Sequence, residues 1–503
     1  MIRKKYLLFV LLSPAPLLNL VKSRLPRIYR GCLLSGLPCS RALLFILLLC
    51  TPALVFSQQR WERTYGGPNV EWGYSVQQTS DGGYIVAGYS GSFPVFGIYL
   101  LKTNASGDTL WTRTYGGLSW DQGNSVQQTS DGGYIVAGYT HSFGHANGWA
   151  DVWLIKTNAS GDTLWTRTYG GTNGDQGYSV QQTSDGGYII AGWTNSFGAG
   201  GYDVYLIKAN ASGDTLWTKT YGGTNDDYGN SVQQTSDGGY IIAGWTNSFG
   251  AGGYDVYLIK ANASGDTLWT KTYGGTNDDY GYSVQQTSDG GYIVAGETQS
   301  FGNYLQVYLI KANTSGDTIW TRTYGGTSVE ECYSVQQTSD GGYIMTGYTG
   351  SFGAGAADVY LIKTNAFGDT VWTRTYGGAN SDYGYSIQQT QEGGYIVAGC
   401  TTSFGNGDQV YLIKTDANGN VGVEDKAVSS PVSRLPFSIR PNPFTSFTTL
   451  PGHERERFSL YDISGRRVGT YKGDRIGLGL PPGVYFLRDA AGKTSPLRIV
   501  KVR

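Results

Sequence analysis

The sequence predicts an all-β chain: a seven-bladed β-propeller closed by its N-terminal strand, followed by a small C-terminal β-sandwich. Three observations predict it. The phrase Trp-x-x-Thr-Tyr-Gly-Gly opens at Trp61, Trp111, Trp165, Trp217, Trp269, Trp320 and Trp372, at intervals of 50 to 54 residues. Each interval holds four strand-like segments and no helical spacing. The last copy lacks the fourth segment, which stands alone at the front of the first. Repeats of this length stack as supersecondary units rather than folding around one irregular core. Four antiparallel strands per unit is the propeller pattern.

The copy beginning at Ser231 justifies each element. Ser231–Thr235 reads as a short strand. Ser236-Asp-Gly-Gly239 reads as a tight turn, because Asp-Gly supplies the positive φ a hairpin needs. Tyr240–Thr246 is rich in β-formers and gives a second strand. A Gly-rich loop, Asn247–Gly253, precedes a third strand over Asp255–Lys260. Asn262–Asp266 is another turn, and Thr267–Tyr273 is the fourth strand. In six copies the Trp of the fourth strand lies 13 residues past the second residue of the third, as Trp269 does past Val256. After Val410 that position is Val423, and the phrase is missing. The unpartnered Trp61–Tyr65 fits the vacancy, and its insertion would remove an open sheet edge.

Composition excludes several classes. Gly is 76 of 503 residues without a Gly-X-Y period, so the chain is not collagen. Tyr at 39 and Trp at 13 require burial, which excludes a disordered chain. The formal charge of −1 hides an asymmetry. Residues 1–57 carry eight Lys/Arg and no acid, and residues 434–503 carry 13 Lys/Arg against five acids, which leaves the middle near −17. An acidic middle argues against nucleic acid, whose phosphates need a basic face. Residues 1–57 read as an export signal region: Arg41 precedes the apolar run Ala42–Phe56, too short to span a membrane comfortably, with cleavage expected near Ser57. Cys332 and Cys400 are the cysteines outside it, so no disulfide framework holds the fold, and their own pairing stays open.

The candidate site residues lie on one face. All length variation falls between second and third strands, in loops that share a face with the linkers between repeats; variable loops on a fixed scaffold are where recognition is usually placed. His141, His145, Tyr202, Tyr254 and Tyr304 are the candidate ligand-face residues there. The linkers carry an aligned acid seven times: Glu71, Asp121, Asp175, Asp227, Asp279, Glu330 and Asp382. One reading is an acidic, aromatic-flanked rim for cations or sugar rings. The other is a turn acid that accepts backbone N–H groups, and sevenfold identity favours geometry over chemistry. The sevenfold Gln pair, Gln77/Gln78 through Gln388/Gln389, bonds between strands or faces the channel. No metal or cofactor is expected: two histidines do not make a zinc site, and Asp416–Asn420 starts a calcium loop but lacks its Gly and its twelfth-position acid. The Trp set and the Tyr set from Tyr84 to Tyr395 are assigned to packing between blades.

Gly274-Gly275, Asp279-Tyr280-Gly281, Gly291–Gly296 and Asp255–Lys260 resemble the bacterial seven-bladed propeller repeat family over residues 61–415. The resemblance implies a fold and no single function; similar arrays sometimes bear glycanase-type names. After a linker at 421–434, residues 435–503 hold Pro441-Asn-Pro-Phe444, Ser459–Val468, Pro482–Leu487 and Arg498–Val502 in order. These are similar to the type A C-terminal sorting domain of the type IX secretion system. That similarity implies the secretion machinery as a partner and a secreted or outer-membrane-surface location in a Gram-negative bacterium. The propeller itself, 58–420, is expected to be a monomeric binding or scaffold module for a glycan or surface protein. The alternatives are an endoglucanase-like hydrolase, which would need two carboxylates set apart from their sevenfold equivalents, with Glu330 and Glu331 the local oddity, and a structural surface-layer component.

Overall fold

The computed structural model describes residues 60–92, 96–145, 148–422, 444–450, 454–462, 466–489 and 497–502. The chain divides into two units, Met1–Gln58 and Gln59–Arg503, and every described residue belongs to the second. The expected export signal and most of the linker lie outside the described residues.

The first repeat forms β2 (Glu71–Gln78), β3 (Tyr84–Ser90), β4 (Gly97–Thr103) and β5 (Thr109–Tyr115), hydrogen-bonded in chain order as one antiparallel sheet. β6 to β25, over 121–376, form five more sheets in the same order. The seventh is built from β26 (Asp382–Gln389), β27 (Tyr395–Thr401), β28 (Gln409–Thr415) and the leading strand β1 (Trp61–Tyr65), in the order β1-β28-β27-β26. Trp61 lies opposite Lys414 and Tyr65 opposite Val410. The same register recurs inside the first sheet, where Trp111 faces Lys102 and Tyr115 faces Ile98.

Burial follows strand rank. The second and third strands are buried along all or nearly all of their length, since neighbouring sheets cover both of their faces, and they read as near-continuous apolar runs. The fourth strand is largely exposed. The core therefore sits between sheets: one cluster joins Ile135, Ala137, Val152 and Leu154 of the second sheet to Val180, Tyr188, Ile190 and Tyr205 of the third. An equivalent cluster joins Val76, Tyr84 and Leu101 to Trp61, Ile396, Val410 and Leu412. Each buried Ile, Leu or Val contributes about 1.5–3 kcal/mol relative to exposure, and here that energy holds sheet to sheet. Trp111 meets Tyr134 of the next sheet edge-on at 5.9 Å, and Tyr115 donates to the carbonyl of Gly161 at 2.5 Å. The Trp and Tyr sets thus pack between neighbouring sheets.

The Asp-Gly turns are clamped from below. Gly82 sits at φ +81°, where a side chain would strain the backbone. Asp81 accepts the Thr79 hydroxyl and the Gly83 N–H, and pairs with buried Lys102 at 2.9 Å. Burial pushes Asp131, Asp185 and Asp237 up, but their Thr hydroxyl, Gly N–H and Lys ammonium partners outweigh it and hold these acids at about 2. The Asn-Ala-Ser turns are closed by the Asn side chain: Asn104 accepts the N–H groups of Ser106 and Asp108.

In the C-terminal region β29 (Arg457–Tyr461), β30 (Arg467–Lys472), β31 (Gly483–Asp489) and β32 (Leu497–Lys501) form one sheet in the order β30-β29-β31-β32. Phe444, Leu450, Phe458, Leu460, Ile476 and Ile499 make its core. The sequence expectation of a sandwich meets, among the described residues, a single sheet with two isolated bridges, Phe444 to Lys501 and Thr448 to Ile476. Cys332 and Cys400 are free and buried, and burial pushes both thiols up to about 12.

Candidate functional site

The first strand of every sheet faces a shared central cavity. Val76 and Gln77, and their equivalents through Ile387 and Gln388, line a space of about 250 Å³. The Gln pair also stitches sheet to sheet. Gln77 Oε1 accepts the Gln128 N–H at 2.5 Å, Gln127 accepts that of Gln182, and the series runs on until Gln388 accepts the Gln78 N–H at 2.6 Å. The second Gln reaches into the neighbouring turn, as when Gln128 Oε1 accepts the Ser80 N–H at 2.8 Å. Both readings of the pair, inter-strand bonding and a channel-facing position, therefore hold.

Above this ladder, on the face that carries the linkers and variable loops, each first strand is bulged. Register slips between Gly73 and Ser75, and at the same place in all seven sheets. Gly88 allows the crossing, since a Cβ there would overlap the Trp72 carbonyl. A bulge leaves one residue unpaired and re-aims its side chain. The residues so placed are Tyr74, Asn124, Tyr178, Asn230, Tyr282, Tyr333 and Tyr385. They line the mouth, a cavity of about 380 Å³, together with Gln122, Tyr228 and Trp245. Tyr282, Tyr333, Tyr385 and Tyr74 form a continuous arc with ring centres 5.2 to 5.4 Å apart. Asn124 and Asn230, shorter than tyrosine, open the circle on either side of Tyr178 and donate to the Gly177 and Gly281 carbonyls at 2.8 and 2.9 Å. Tyr228 stacks on Trp245 with centroids 3.8 Å apart. Burial raises the phenols of the arc above their ordinary range, so the wall is uncharged.

One seam of the mouth departs from this pattern. Where other sheets carry Tyr89, Tyr139, Trp193, Trp245, Tyr348 or Cys400, the fifth carries Glu297. Where they carry Trp72, Gln122, Gln176, Tyr228, Tyr280 or Tyr383, the sixth carries Glu331. The Glu331 charge bears on Glu297. Tyr282 donates to Glu297 at 3.1 Å; Tyr348 donates to Glu331 at 2.5 Å, and Tyr333 donates to its other oxygen. Burial, and then the neighbouring Glu331 charge, push Glu297 up to about 8. Glu297 therefore keeps its proton well above the usual carboxylate range.

The structure corrects the acidic-rim reading. Glu71, Asp121, Asp175, Asp227, Asp279, Glu330 and Asp382 are all 0% exposed. Each accepts the N–H of the second Gly of its linker, Gly67 for Glu71 and Gly326 for Glu330, and most take a Ser or Thr hydroxyl as well. They hold turns and meet no ligand face. Glu330, one half of the hydrolase oddity, is excluded from substrate contact for this reason. His141 bonds the Gly148 carbonyl while His145 lies beside Asp151 at 3.3 Å, so their partners differ. Among the described residues no group of three metal-ligating side chains gathers. Tyr202 and Tyr254 are half-buried against Trp193 and Trp245 at 4.7 Å, and Tyr304 is exposed. Sequence reading passed over the bulge column and Glu297. The available signal was a Tyr/Asn alternation between an all but constant Gly and a constant Ser, and a lone acid in an aromatic column.

No family model matches the chain. Regulatory protein FlaEY of Caulobacter vibrioides is 27% identical over 157 residues, 26% of this chain. The chain spans 16% of that curated relative's length. Among solved structures, a protein of unknown function from Bacteroides caccae is 15% identical over 58% of this chain and 93% of its own, with a TM-score of 0.38. The Pan2 WD40 domain of Neurospora crassa is 9% identical over 70% of this chain and 98% of its own, with a TM-score of 0.43. The extracellular domain of the one-component system BT4673 from B. thetaiotaomicron is 12% identical over 87% of this chain and 59% of its own, with a TM-score of 0.40. Scores this low carry no weight, and the architecture rests on the strand pairing itself.

Proposed function

We propose that residues 60–422 are a seven-bladed β-propeller completed by its N-terminal strand, and that it binds a glycan at the channel mouth without catalysing a reaction. The pairing of Trp61–Tyr65 with 409–415 and the glutamine bonds that lead from Gln77 back to Gln78 support the closed ring. One observation carries the ligand: the arc of tyrosines beside Asn124, Asn230 and Gln122. Aromatic faces offer flat apolar contact to the C–H face of a sugar, and amides match its hydroxyls. The mouth, at about 380 Å³, falls near the lower end of typical small-ligand sites, which favours a saccharide unit over a protein surface. No Lys or Arg lines it, so phosphate recognition lacks its usual partner.

Residues 435–503 act in this reading as the export address of the type IX route, on the motifs they carry, and the propeller works outside the cell. Glycoside hydrolysis has less support: Glu331, the remaining half of the oddity, has both carboxyl oxygens taken by the Tyr333 and Tyr348 hydroxyls, whereas that chemistry needs two carboxyls roughly 5–10 Å apart on the substrate. A glycan array probed with the purified chain, paired with an assay for new reducing ends, tests the reading. Saccharide binding without cleavage is expected. Cleavage lost in Glu331→Gln would overturn the non-catalytic part, and a blank array would overturn the whole.

A further inference from the structure

The acid pair at the mouth is chemically out of place in a wall built from phenols, indoles and amides. Resting on the glycan reading above, we propose that the seam between Glu297 and Glu331 is a subsite for a protonated primary amine, so that the saccharide taken at the mouth carries an amino sugar.

The position comes first. Tyr282 and Tyr333 line the mouth, and their hydroxyls donate to Glu297 and Glu331. The acids therefore sit at the polar ends of the rings on which a sugar would lie. Glu331 is half-buried, whereas Glu297 is almost wholly covered.

The second observation is an unanswered valence. Glu297 is 5% exposed, and its Oε2 is buried without an N–H or O–H donor. Among the described residues neither acid forms an ion pair, while turn acids such as Asp81 and Asp131 each hold a lysine. The titratable groups that bear on the pair are Tyr280, Tyr282, Tyr333, Tyr348 and Cys332, and none carries positive charge. Burying carboxylate charge without a cation is costly, and burial raises Glu297 accordingly.

An ammonium group fits what is missing. It brings one positive charge and three donors, enough to reach Glu297 Oε2 and Glu331 and still lie against a tyrosine face. It brings a positive charge to two acids whose surroundings supply none, and so lowers the cost of ionising Glu297. A divalent cation fits worse, because it wants six or more oxygen ligands and no third acid joins the two. An acidic sugar would meet like charge, and a neutral one would leave the pair unanswered.

The test uses the full chain and calorimetric titration at pH 6.0, where the amino sugar is protonated, with oligomers of glucosamine and of N-acetylglucosamine of equal length. The free-amine oligomer is expected to bind about tenfold tighter, the factor an ammonium gains in a desolvated aromatic and acidic setting. Glu331→Gln should bring the two affinities to within a factor of about two. So should Glu297→Tyr, which restores the residue that Tyr348 supplies at this position in the next sheet; this second variant guards against a folding defect in the first. Equal affinities in the unaltered chain, or a preference kept in both variants, overturn the amine subsite. If free-amine and acetylated oligomers bind without preference, the amine subsite falls and the mouth reading stands. If none of the oligomers binds, both fall.

Discussion

The lower half of the central cavity and its mouth are built on the same seven strands, three residues apart, and obey opposite rules. Below, Ser75, Gln77 and Gln78 recur without change, because each bonds the backbone of the neighbouring sheet and any substitution would leave an N–H unpaired. Above, the bulge frees one side chain per strand from that duty, and the sequence changes: five tyrosines, two asparagines, and beside them two glutamates with no sevenfold counterpart. Identity marks the residues that set geometry. Departure from identity, on a strand rather than in a loop, marks the residues free to recognise something.

The largest break in this comparison is expected at the seventh sheet. Trp61 is 3% exposed, while its equivalents, Trp111 and Trp165 among them, are half-buried. Trp61→Ala should cost about 3–5 kcal/mol, and Trp111→Ala distinctly less, both read as shifts in the urea midpoint at constant slope. If the leading strand does not complete the ring, Trp61→Ala will instead leave the midpoint near that of the unaltered chain.

Next in size is the ladder itself. Gln388→Ala should cost about 1–3 kcal/mol by stranding the Gln78 N–H, and Gln77→Ala should match it by stranding that of Gln128. Equal costs mean the junction between first and last repeats is like any other. A much smaller cost for Gln388→Ala would mean that the ends of the array are only loosely joined.

Much of the lower half was legible in the sequence, and little of the mouth. The Asp-Gly and Asn-x-x-Gly turns announce themselves, because positive φ at Gly82 and Gly107 admits few residues. The second and third strands are apolar runs that only a doubly covered strand can hold. The linker acids suited a turn better than a rim, and the sequence could not show how completely they are covered. The bulge was invisible for a related reason. An extra residue in a strand changes no composition, yet it decides which of Gly73, Tyr74 and Ser75 points into the mouth. Attention went to loop length, and the informative variation lay in two strand columns, at Tyr74 and at Glu297.

A third expected effect concerns binding. Tyr385 touches both Tyr74 and Tyr333 at the centre of the arc. Tyr385→Ala should weaken saccharide binding about tenfold, the scale of one aromatic contact, while Tyr304→Ala in the exposed loop should leave it within a factor of about two. The reverse order, measured by the same titration, would move recognition from the strands to the loops.

A fourth expected effect separates the two halves by their titration. Turn acids such as Asp131 are held at about 2 when folded, below the 3.8 of an unfolded chain. Their contribution to stability is present above pH 3.8 and is lost as pH falls through 2. Glu297 runs the other way, with a folded value of about 8 against 4.5. Below pH 4.5 both states hold its proton and it costs nothing. Between 4.5 and 8 the unfolded chain releases that proton first, so rising pH favours unfolding, and the loss is complete once pH passes the folded value. The thermal midpoint of the unaltered chain should therefore decline from pH 5 to pH 8, and Glu297→Gln should flatten that decline without altering the acid limb below pH 3.8. Lys156→Met, which removes the ammonium from Asp131, should soften the acid limb and leave the neutral slope alone. If instead Glu297→Gln moved the acid limb, the mouth and the turns would share one titrating network, and the division between the two halves of the strand would be wrong.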